Sequence, residues 1–118
     1  MKTHSLRSVN DYARRVVAGK ILAGQWVRLA CQRHLDDLKA AEKPGARWRF
    51  DAAEGLRIVR FIECLPHTKD RWAAKRQRLV LEPWQAWVVA CIFGWVRVGP
   101  EKVRRFREAY IEVPRKNG

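Results

Sequence analysis

The hydrophobic residues fall into clusters of helical spacing, interrupted by glycine, proline and basic stretches. Residues 1 to 9 are polar and read as a frayed start. Asn10 or Asp11 then caps a short helix whose apolar side is Tyr12, Val16 and Val17, with Gly19 as its stop. A longer helix is expected from about Ala23 to Glu42. There Val27, Cys31, Leu35 and Leu38 recur every three or four positions and so share one stripe. Lys43-Pro44-Gly45 ends it. Trp48 and Phe50 lead into Asp51-Ala52-Ala53-Glu54, a helix start in which Asp stands where a capping box has Ser or Thr. The helix that follows carries Leu56, Val59, Phe61 and Ile62. Residues 66 to 78 are polar and basic and read as a loop, with a helical turn around Trp72 to Lys75. Leu79 to Leu81 are extended because Glu82 precedes Pro83. Pro83 opens a further helix with Trp84, Trp87, Val88, Cys91 and Ile92 at helical spacing. After a turn at Val98-Gly99-Pro100, residues Phe106 to Val113 alternate with period two and are expected to form a strand.

The fold class is therefore mostly α, with about four helices followed by one β-strand. A single strand leaves its backbone hydrogen bonds without partners. A hairpin with residues 96 to 98 supplies one solution, and sheet strands outside this sequence supply the other. The exposed edge would then invite self-association. The chain divides into a helical region, 1 to 105, and a strand with a basic loop, 106 to 118.

At 118 residues the chain fits one domain, and 47% hydrophobic residues with six Trp exclude a disordered basic tail. No run approaches the roughly 20 apolar residues of a membrane span, so no membrane partner is expected. Three cysteines, an odd number, suit a reducing compartment. Twenty-five Lys and Arg against twelve Asp and Glu leave a net charge of +13, which suits an anionic partner, nucleic acid first. Two stretches concentrate it. Trp72 lies in a basic segment with Lys75, Arg76 and Arg78, where an aromatic can stack on a base or on a neighbour. Lys102, Arg104, Arg105 and Arg107 form the densest phosphate-binding candidate. Cys31 and His34, with Cys64 and His67, repeat a Cys-x2-His spacing. They are either zinc ligands or unrelated pairs, the first of which shares the apolar stripe of its helix. No metal is assigned.

The stretch Phe106 to Gly118, a strand running into Pro114-Arg115-Lys116-Asn117-Gly118, resembles the segment entering the Walker A loop of the large terminase subunits of tailed bacteriophages, in the group with a "VPRKNGKS" signature. Tyr12-Ala13, Val17 to Ile21, Ala30 to Leu38, Leu81 to Gln85 and Phe93-Gly94-Trp95 resemble the family in the same order. Large terminases are ATP-driven motors that package double-stranded DNA into capsids and carry a nuclease domain. The resemblance implies that this chain is the helical region and first core strand of a RecA-like α/β ATPase domain, truncated inside the phosphate loop. It implies that Gln85 reads adenine through its side-chain amide, and that Arg115, Lys116, Asn117 and Gly118 begin the loop around ATP and Mg²⁺. It further implies a portal and a small terminase subunit as partners, in the cytoplasm of a bacterial host. The lysine and hydroxyl that follow in the family's loop, the acidic strand and the nuclease carboxylates are not in this sequence, so ATP hydrolysis by this chain alone is not expected. The alternative reading is a small, non-enzymatic basic DNA-binding protein of phage origin, with or without zinc.

Overall fold

The computed structural model describes residues 4–65 and 80–113. Among these, four helices and a two-stranded antiparallel sheet follow in the order α1 (Leu6–Val17), α2 (Gln25–Ala41), β1 (Trp48–Phe50), α3 (Ala52–Glu63), α4 (Pro83–Gly94) and β2 (Trp95–Arg97). The mostly helical class expected from the sequence is what forms. No helix among the described residues is long and apolar enough to cross a membrane.

The first helix starts earlier than the apolar pattern suggests. Ser5 caps it by accepting the Ser8 amide at 3.2 Å, while Ser8 Oγ accepts the Ser5 amide at 2.8 Å. A serine pair thus does the work of a capping box and extends the helix over residues expected to fray. Val9, Asn10, Tyr12, Ala13 and Val16 are its buried side. Asp51 caps α3 as its sequence predicts, accepting the Glu54 amide at 3.1 Å.

Helix α4 is apolar on nearly every side and packs against both α3 and α1, while α2 packs on α1. The α3–α4 crossing is tight. A Cβ on Gly55 would lie 2.7 Å from the Ala90 carbonyl oxygen, and one on Gly94 would lie 2.6 Å from the Phe50 ring. Only hydrogen fits at either place.

Correction falls on the strand. Residues 106–113 form no strand, and Tyr110, Ile111 and Val113 are exposed. The sheet is instead made by β1 and β2, with Trp48 opposite Arg97, Arg49 opposite Val96, and Phe50 opposite Trp95. The other edge of β2 is taken by residues 103–105: the Arg97 amide donates to Val103 O at 2.8 Å and the Arg105 amide to Trp95 O at 2.9 Å. With both edges of β2 occupied, residues 106–113 find no ladder there. A hairpin return on 96 does form, but it uses the three residues before the expected strand.

At the centre of the core lies His34, 3% exposed. The indole Nε1–H of Trp95 donates to its Nδ1 at 3.1 Å, and Cys91 Sγ stands 3.4 Å from the same nitrogen. An indole only donates, so Nδ1 is the acceptor and the proton sits on Nε2, which donates to Asn10 Oδ1 at 2.8 Å. Phe50, Trp87 and Trp95 surround the ring edge-to-face at centroid distances of 5.1, 6.3 and 5.7 Å. Burial, reinforced by Arg14 and Arg33 and opposed by Asp37, lowers its pKa to about 4.

Two predictions follow from this packing. A histidine held neutral in the fold but titrating near 6.5 when unfolded confers stability that is complete above pH 6.5 and lost as pH falls toward about 4. The loss is on the order of 3 kcal/mol. Denaturant unfolding across that window should show it as an added slope, absent in His34→Gln, which starts less stable. Gly55→Ala, which forces α3 off α4, should cost about 1–3 kcal/mol in a thermal melt.

Candidate nucleic-acid interface

Opposed residues of an antiparallel pair share a face. One face of the small sheet, carrying Phe50 and Trp95, turns to His34. The other carries Arg49, Val96 and, through the bridge to Val96, Arg104. Helix α3 brings Glu54, Arg57 and Ile58 beside it, and α4 brings Phe93. Glu54, Arg57, Ile58, Phe93, Val96, Lys102 and Arg104 line an open groove of about 300 Å³, apolar at Val96, Ile58 and Phe93 and charged around them.

The charges here are ordered by short contacts. Arg104 stacks on Phe93 at 5.1 Å. Lys102 Nζ lies 3.1 Å and Arg49 Nη1 3.6 Å from Asp51 Oδ2, while Arg57 Nε donates to Glu54 Oε1 at 2.9 Å. Partial burial pushes the Asp51 carboxyl up, but the Glu54 amide, Lys102 and Arg49 outweigh it and the net shift is downward. Arg49 and Lys102 thus share Asp51 and Arg57 faces Glu54, while Arg104 lies over Phe93. A guanidinium has five N–H donors, so one contact to a carboxylate leaves others for a phosphate.

The late basic cluster expected from the sequence is divided by this geometry. Lys102 and Arg104 line the groove and Arg107 is exposed. Arg105 turns the other way: its Nη1 donates to Asp37 Oδ2 at 2.8 Å, and its guanidinium stacks on Trp48, Trp95 and Phe106. It ties the return segment to α2 and is a structural cation. Arg57 and Phe93 line the groove, Arg49 is joined to Lys102 through Asp51, and none of the three is a candidate in the sequence. The period-two pattern around Arg49, flanked by Trp48 and Phe50, is the signal that points Arg49 outward.

Other candidates fall elsewhere. Trp72, Lys75, Arg76, Arg78 and His67 lie outside the described residues, as do Arg115, Lys116, Asn117 and Gly118. Of the zinc set, His34 has both ring nitrogens engaged in the core. Cys31 is buried, and burial pushes its thiol up to about 12, so it remains protonated packing. Cys64 is exposed at the end of α3. Among the described residues no group of three or more His, Cys, Asp or Glu is placed to hold a metal ion. Gln85 sits in the first turn of α4, where its Oε1 accepts the Glu82 amide at 2.8 Å.

The chain matches no protein-family model, and no curated protein or solved structure matches it.

Because Gln85 closes the start of α4, Gln85→Ala should lower stability by about 0.5–1 kcal/mol. Gln85→Glu, which keeps an acceptor oxygen, should lose less. Urea denaturation of the two variants checks the order.

Proposed function

We propose that the protein is a DNA-contacting helical module related to the N-terminal region of large terminase subunits, the motors that package double-stranded DNA. The basic outer face of the small sheet carries the DNA-contact reading. Arg57, Lys102 and Arg104 line a groove open to a phosphate backbone, Arg49 shares Asp51 with Lys102, and the remainder of the +13 net charge adds a long-range attraction. Contacts of this kind hold the backbone without reading bases. That suits a motor, which must pass any sequence. The motor identity rests on the ordered blocks of sequence resemblance, from Tyr12-Ala13 to the Val113-Pro114-Arg115-Lys116-Asn117-Gly118 run.

In this reading the chain supplies contact surface, with Gln85 and Arg115 to Gly118 on the nucleotide side. ATP and Mg²⁺ chemistry belongs to the motor as a whole, acting with portal and small subunit in a bacterial cytoplasm. A specific feature favours the second reading, an independent small DNA-binding protein. Helices α1 to α4 close around a core of their own, with Ala13, Val16, Cys31 and Ala86 fully covered.

A salt series with a short labelled duplex tests the shared element. The slope of log K against log salt should flatten by about one for each of Arg57→Gln and Arg104→Gln. An unchanged slope and affinity would remove the groove from the interface. Titration with ATP and Mg²⁺ then separates the readings: nucleotide binding weakened in Gln85→Ala supports the motor, and DNA binding with no response to nucleotide supports the independent module.

A further inference from the structure

The first turns of α2 stand out from the rest of the helix. Cys31 and His34 are buried farther along, but Gln25 to Leu29 are all exposed. Four exposed large apolar side chains fall in this stretch, Val27 among them at 39%. Leu22, in the approach to the helix, is fully exposed at 101%. Trp26 is 77% exposed, and Leu29, three residues on and so on the same stripe, is 53% exposed. Apolar residues clustered this way on a surface mark a contact site more often than scattered ones do.

The charges along this stretch of the chain have one sign. From Tyr12 to Leu35 the sequence holds Arg14, Arg15, Lys20, Arg28 and Arg33 and no Asp or Glu. The acids bordering this stretch are engaged locally. Asp11 pairs with Arg14 at 3.1 Å, Asp36 accepts from Gln32 at 3.0 Å, and Asp37 holds Arg105. An exposed apolar stripe on a stretch whose own charges are all cationic is complementary to an acidic surface with apolar residues of its own.

We propose that the Trp26 and Leu29 stripe, with Leu22 in the segment leading into it, docks an acidic amphipathic helix of a partner protein. The helix would lay its apolar side on the stripe and its carboxylates against Arg15, Lys20 and Arg28. Other occupants fit less well. A second copy brings the same cations and is repelled. A DNA duplex takes the cations but has no use for Leu22 and Leu29. An anionic bilayer takes both, yet the three side chains offer only about as much apolar matter as one acyl chain, which by itself binds membranes marginally.

The test uses the full chain and three probes. One is a labelled peptide with Leu and Phe at helical spacing and Glu elsewhere, run beside its shuffled isomer of identical composition. The others are a short duplex and vesicles of equal parts phosphatidylcholine and phosphatidylglycerol. The amphipathic peptide should bind about tenfold more tightly than the shuffled one, a difference of about 1.4 kcal/mol. Trp26→Ser with Leu29→Ser should abolish that preference, and Arg15→Glu with Arg28→Glu should weaken binding of both peptides. Both pairs are exposed, so the melting temperature should hold, and duplex binding should survive the serine pair. Equal affinity for the two peptides, or a preference untouched by the serine pair, overturns the proposal. So does vesicle binding that depends on Trp26 and Leu29 while the peptides are not told apart.

Discussion

The fold turns on one neutral imidazole. His34 receives a hydrogen bond from Trp95 of β2, gives one to Asn10 of α1, and has Cys91 of α4 against its Nδ1. Four elements therefore meet at a single side chain of α2. Each such bond adds only about 0.5–1.5 kcal/mol net, but a buried polar group left without its partner costs about 1–3 kcal/mol. The register of α1, α4 and β2 against α2 is thus specified less by what the bonds add than by what a shifted arrangement would lose. The three aromatic rings set edge-to-face around the imidazole sharpen that choice, because their geometry fails with a small displacement.

From this anchor the small sheet acquires two unlike faces. Trp95 and Phe50 are held inward against His34, so Arg49 and Arg104 are carried outward by strand alternation alone. The return of residues 103–105 along β2 sends neighbouring arginines to opposite duties. Arg104 lies over Phe93 at the groove, and Arg105 is clamped by Asp37. The close approach of α3 to α4, which Gly55 permits, brings Arg57 to the same groove. A histidine in the core and a glycine contact between helices thereby set the spacing of surface cations.

Much of the helical scaffold was legible in the sequence. Asp51 before Ala52-Ala53-Glu54 and Glu82-Pro83 mark two helix starts through local chemistry, and both hold in the structure. The start of α1 was obscured because Ser5 and Ser8 cap each other without the acidic residue that usually gives such a box away. The strand at 106–113 was misplaced for another reason. Alternation reports that a segment can be extended, and whether it joins a sheet depends on a free edge. Of the groove, Lys102 and Arg104 could be proposed from charge density, whereas Arg57 and Phe93 could not.

The sequence by itself determined most of the helices, the starts at Asp51 and Glu82-Pro83, the cationic excess and the apolar stripes, because each depends on residues a few positions apart. Only the tertiary structure decided which cations are surface and which are struts, and whether His34 faces a metal or the core. It also decided which segment completes the sheet. These are questions of which distant groups meet, such as Asn10 with His34 or Arg105 with Asp37, and no local spacing encodes a meeting across 24 or 68 residues.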